Sequence, residues 1–93
     1  MLLELKDKRR DKRYQVALPV IYSYRGEPVV NNDCGTTFDV SNSGLCFYTD
    51  RPLREGLALN LKIPHFWDME KSGTVKWTSM KSSHCFKVGV SFQ

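Results

Sequence analysis

Apolar side chains recur at every second position over most of this chain, the spacing of half-buried strands and not of helices. In YQVALPVIYSY, residues 14–24, one face holds Tyr14, Val16, Leu18, Val20, Tyr22 and Tyr24, and the other holds Gln15, Ala17, Pro19 and Ser23. Pro19 cannot donate to a ladder, which predicts a bulge or a sheet edge at that point. Residues 34–41, CGTTFDVS, place Phe38 and Val40 inward and leave Asp39 and Ser41 together on the opposite face. NSG then turns the chain into a third strand, LCFYTD. After RPLREG, the run LALNLKI sets Leu57, Leu59, Leu61 and Ile63 against Ala58, Asn60 and Lys62. PHFWDMEKS reads as a longer connection, GTVKWTSM as a fifth strand with Val75 and Trp77 inward, and CFKVGVSFQ as a sixth with Phe86, Val88, Val90 and Phe92 inward. Only the first few residues carry any hint of a helical period.

Six short strands with one apolar face each, separated by turn signals, predict an all-β fold, a six-stranded antiparallel β-barrel or sandwich. Closure into a barrel is favoured because a small chain gains most from leaving few sheet edges open. At 93 residues the chain has material for one core, with 41% hydrophobic and 26% charged residues, the balance of an ordinary globular domain. MLLELKDKRR has neither the apolar length nor the cleavage site of a secretory leader, and no run is long enough to span a membrane; a cytoplasmic location without membrane insertion is the expectation. Cys34, Cys46 and Cys85 are odd in number and widely spaced, which suits free thiols in a reducing compartment. Cys34 and Cys85 with His65 and His84 offer zinc-ligating atoms, but no close cysteine pair seeds a site, so no metal is expected.

Charge changes the picture at one place. KDKRRDKR, residues 6–13, carries six basic and two acidic side chains, a net +4 that equals the net charge of the whole chain; the remainder holds eight of each sign. Taken alone, such a run is a solvated tail. Its last arginine, Arg13, however, sits where the first strand begins, and an anchored guanidinium presents a planar fork that fits phosphate or the O6/N7 edge of guanine. The domain division that follows is a flexible basic segment over 1–13 and a barrel over 14–93.

The second chemical signal is DVSNSG, residues 39–44. Asn, Ser and Gly make a hairpin turn, with Gly44 free to take positive φ. Asp39 is less ordinary, because aspartate is disfavoured inside a strand. On the same face as Ser41, its carboxylate is paired with a hydroxyl, a set of acceptor and donor suited to the N1 and N2 protons of guanine.

RRDKR leading into YQVALPV, then DVSNSG, GTVKW and VGVSF, together resemble a PilZ domain, the bacterial receptor module for cyclic di-GMP, over about residues 8–92. The resemblance implies a six-stranded barrel of split-barrel type with the dinucleotide on its outer surface, clamped by the preceding segment. It implies that Arg9 and Arg13 meet phosphates and guanine edges, that Arg10 assists, and that Asp39, Ser41 and Gly44 hold a guanine. Many relatives continue into a C-terminal helix, which is expected to be short or absent here because the sequence given ends at Gln93. The expected function is a ligand-binding receptor that changes the order of its N-terminal segment and signals to a downstream protein, with ligand-induced homodimerisation left open.

Two other binding readings remain: a small basic barrel for single-stranded nucleic acid, with Phe66 or Trp67 of PHFWD as stacking surfaces, and a ligand-free adaptor of the same fold. The confinement of charge to one end weighs against the first. Enzymatic activity is not expected: Ser41 or Ser43 with His65 or His84 and Asp39 lacks the spacing of an activated nucleophile.

Overall fold

A computed structural model of the chain describes residues 12–26 and 32–93. Its strands are β1 (Pro19–Tyr24), β2 (Asp33–Val40), β3 (Gly44–Thr49), β4 (Ala58–Lys62), β5 (Lys71–Ser82) and β6 (Cys85–Phe92). They close into an antiparallel barrel in the order β1-β2-β3-β6-β5-β4, with β4 returning to β1. Among the described residues there is no helix.

The period-two reading holds best where a strand is regular. Leu59, Leu61 and Ile63 are fully buried, as are Val20, Val75 and Val88, and they meet Tyr22 and Phe47 in a single core. Burying a side chain of this size contributes about 1.5 to 3 kcal/mol, so this inward face holds the barrel shut. The Tyr22 ring lies 5.3 Å from that of Phe47, and its hydroxyl shares a 2.7 Å hydrogen bond with the buried Thr49. Burial pushes the Tyr22 hydroxyl above the usual phenol range, so it stays neutral.

Three inward assignments are overturned, two of them by bulges. On β2, the register steps from Thr37 opposite Phe47 to Asp39 opposite Cys46, so Phe38 is an extra residue. The buried side chains are consequently Thr37 and Val40, three positions apart, and Phe38 lies outside the core with its ring 4.7 Å from Tyr48. On β5, Val75 faces Val90 but Trp77 faces Gly89, which makes Lys76 the extra residue and turns Trp77 outward. Trp77 is 38% exposed. Tyr14, also read as inward, is exposed and joined to Val40 by a pair of backbone hydrogen bonds of 2.8 Å.

Pro19 marks no bulge but does sit at a local edge, where β1 is paired with β2 alone. It is the first residue of β1, and pairing with β4 begins only at Ile21, so no bond from its nitrogen to β4 is needed. Ahead of it, Thr37 fastens the incoming chain: its hydroxyl donates to the Val16 carbonyl at 2.6 Å and accepts from the Leu18 N–H at 2.9 Å. This fixes the approach of residues 13–18 along β2, and therefore the position of Arg13.

Candidate functional site

The bulge in β2 leaves Asp39 on the outer face, where the sequence pattern puts it. Cross-strand pairing then lines up Asp39 of β2, Cys46 of β3, Gly89 of β6 and Trp77 of β5 in one row across the barrel's exterior. Gly89 stands between two buried valines, and a Cβ there would run into the Trp77 indole. The absence of a side chain lets the indole lie against the sheet.

Arg13 reaches this row from the strand's approach. Its Nε and Nη2 donate to Asp39 Oδ2 at 3.0 and 2.6 Å. The bond and the carboxylate charge together raise the Arg13 guanidinium pKa further, keeping it charged. Both donors go to one oxygen, and Asp39 Oδ1 is shut off from solvent with no hydrogen-bond partner. A buried acceptor in that state costs about 1 to 3 kcal/mol, which makes the pairing an incomplete one.

Next to the pair, a cleft of about 180 Å³ is lined by Arg13, Ser41, Ser43, Gly44, Lys76 and Trp77, among others. Its turn is self-supporting. The Ser41 N–H donates to the Gly44 carbonyl at 2.9 Å, and the Ser41 hydroxyl donates to the same carbonyl at 3.2 Å while accepting the Ser43 N–H at 3.3 Å. Gly44 does not take the positive φ expected of it; among the described residues those that do are Gly26, Gly56 and His65. Its requirement is space, since a Cβ would strike the Val90 carbonyl oxygen of β6. The hydrogen bond between the Ser41 and Ser43 hydroxyls is 3.3 Å, and no histidine bonds to either serine among the described residues.

Of the residues singled out in the sequence, Arg13, Ser41 and Gly44 line the cleft and Asp39 is bound to Arg13. Arg9 and Arg10 lie outside the described residues. Trp77, Lys76 and Ser43 were missed. Gly89 was the available signal, because a glycine inside a strand marks a close approach of another group.

The sequence matches the PilZ domain family over residues 7–93. The chain is a PilZ domain. No curated protein matches the sequence. Among solved structures, this PilZ domain is similar to the Bacillus subtilis inhibitor of motility MotI/DgrA, with TM-score 0.71, 16% identity, and coverage of 94% of this chain and 43% of that one. It is also similar to the MrkH–c-di-GMP complex of K. pneumonia, with TM-score 0.67, 16% identity, and coverage of 94% and 45%. At that identity the likeness shows the shared barrel, and the chain spans less than half the length of either solved protein.

Cys46 makes the site's packing measurable. It is buried between Asp39 and Gly89, and burial, then the Asp39 charge, push its thiol pKa up. Cys34 is exposed. With a chromogenic disulfide at pH 8, Cys34 should react first and Cys46 last, only at the rate of opening of the β2–β3 pair. Fast labelling of Cys46 in the folded protein would show that the row is not packed as described.

Proposed function

We propose that this cleft binds cyclic di-GMP and that the Arg13–Asp39 pair is the latch the ligand opens. The observation that carries the reading is the unpartnered Asp39 Oδ1. A guanine edge offers two adjacent N–H donors, enough to satisfy both carboxylate oxygens at once, which the one-oxygen contact from Arg13 does not. The Arg13 side chain is 41% exposed, so solvent is open to it once the contact with Asp39 is broken. Released, its fork serves a phosphate or the O6/N7 edge of the base, and Arg9 and Arg10, four and three positions earlier, are assigned to the phosphates. Ser41 and Gly44 hold the turn close to the base, and Trp77 supplies a flat surface beside it.

On this reading the protein is a receptor and not an enzyme, acting in the cytoplasm and passing the change at its basic segment to a partner protein. On this reading residues 14–93 are the platform, and the division from a basic segment over 1–13 falls largely outside the described residues. Among the described residues, no helix is long and apolar enough to cross a membrane, and no group of side chains is placed to hold a metal ion.

Calorimetric titration with cyclic di-GMP, against GTP as control, tests the proposal and gives the stoichiometry. Saturable heat with the cyclic dinucleotide alone is expected; equal responses to both, or none, would sink it. Trp77→Ala should weaken binding by about 1 to 2 kcal/mol, roughly 5- to 30-fold, if a base lies against the indole. Unchanged affinity in that variant would remove the tryptophan from the site.

A further inference from the structure

Residues 71–93 hold four lysines, Lys71, Lys76, Lys81 and Lys87, and no carboxylate side chain. Their charge matches that of the basic segment 6–13, and is hidden in any count that pools them with the acidic residues of the middle of the chain. β5 and β6 carry all four. The only carboxylates on the neighbouring β2 and β3 are Asp33 and Asp39, and each already faces an arginine: Arg51 at 3.2 Å and Arg13 at 2.6 Å. Among the described residues, no ion pair engages Lys81 or Lys87.

These two lysines are instead gathered over aromatic rings. The Lys87 ammonium lies 5.4 Å from the centre of the Phe38 ring, and that of Lys81 lies 5.4 Å from the centre of the Tyr48 ring. The two rings are 4.7 Å apart. Beside them runs a groove of about 440 Å³ lined by Gln15, Val16, Ala17, Thr36, Thr37, Phe38 and Tyr48, none of them charged. Its wall is firm, because Thr37 ties both Val16 and Leu18 to β2. The result is an apolar groove with an aromatic floor and two uncompensated ammonium groups along it.

We propose that this face docks an acidic, amphipathic segment of a partner protein, with carboxylates on Lys81 and Lys87 and an apolar side chain in the groove. Charge complementarity selects the occupant. Single-stranded nucleic acid fits less well. Each ring has an ammonium over it and lies tilted against the other, which leaves less flat surface for a base than the open stacking platforms on which single-strand recognition depends. The proposal does not rest on cyclic di-GMP binding, since the groove shares no lining residue with the cleft.

A fluorophore-labelled peptide with glutamates flanking two leucines, followed by anisotropy against the full chain, tests it. Saturable binding is expected, weakened at least about tenfold by Lys81→Glu/Lys87→Glu and by Phe38→Ser. Lys71→Glu should leave it unchanged, because Lys71 packs elsewhere, against Trp67 and Phe92. A peptide of glutamates without leucine should bind more weakly. Thermal melting of each variant separates lost docking from lost folding, and the cyclic di-GMP titration should be the same for all of them. Absence of binding, an equal loss with Lys71→Glu, or tighter binding of an oligothymidylate through Lys81 and Lys87 would overturn the proposal.

Discussion

Asp39→Ala should weaken cyclic di-GMP binding by about 2 to 3 kcal/mol, roughly 30- to 150-fold, with little change in melting temperature. The carboxylate is on the outer face, its contact with Arg13 is a partly exposed ion pair, and such pairs add little to stability. On the proposed reading its value lies in accepting two guanine protons, bonds that gain strength from the carboxylate charge. Arg13→Ala is expected to weaken binding less than the loss of its own ligand contacts implies, because the same change frees Asp39 from the latch. The loss in Arg13→Ala/Asp39→Ala should then exceed the sum of the single losses, since each single variant is relieved of the free-state contact and the double variant is relieved of it only once. Calorimetry on the two single variants and the double variant measures this. Strict additivity would show that Arg13 and Asp39 meet the ligand independently, and wild-type affinity for Asp39→Ala would remove the guanine contact altogether.

What could be read from the sequence follows from where the strands are regular. β4 alternates through Leu59 and Leu61 and β6 through Val88 and Val90, and there period two found the inward faces and, with the turn signals, the barrel; Phe86, also read as inward, is half-buried and not part of the core. A bulge has no comparable signature: one added residue reverses the face of everything beyond it, and nothing in the local composition announces the addition. Phe38 and Trp77 were assigned to the core for that reason, and both belong outside it. Trp77 borders the cleft, and Phe38 floors the groove beside Lys87. The acidic and turn residues Asp39, Ser41 and Gly44 were legible because their chemistry is out of place in a strand or particular to a turn. The role of Gly44 was not, because the nearness of Val90 is a fact of packing between strands far apart in sequence. Net charge misled in the same way: the lysines of β5 and β6 become a surface only when the strands are laid side by side.

Phe47→Ala should cost about 3 to 5 kcal/mol of folding free energy, a large share of the roughly 5 to 15 kcal/mol that holds a domain together. Phe47 is fully buried, its ring packs on Tyr22, and it lies next to Cys46 in β3, the strand that supplies Gly44 and the middle of the Asp39–Trp77 row. At about 4 to 8 °C per kcal/mol, the melting temperature should fall by at least about 12 °C, which thermal denaturation followed by circular dichroism reads directly. The cavity lies under the site without touching its outer groups, so molecules that do fold should keep ligand contacts close to normal. Saturating cyclic di-GMP should therefore recover part of the loss, about 2.7 kcal/mol at a hundred times the dissociation constant. Asp39→Ala should show the reverse behaviour, a near-normal melting temperature that the ligand barely raises. A small loss of stability in Phe47→Ala would mean that the barrel's centre is not packed around this ring. A destabilised variant with no recovery by ligand would show that the outer row does not keep its binding geometry once the ring beneath it is removed.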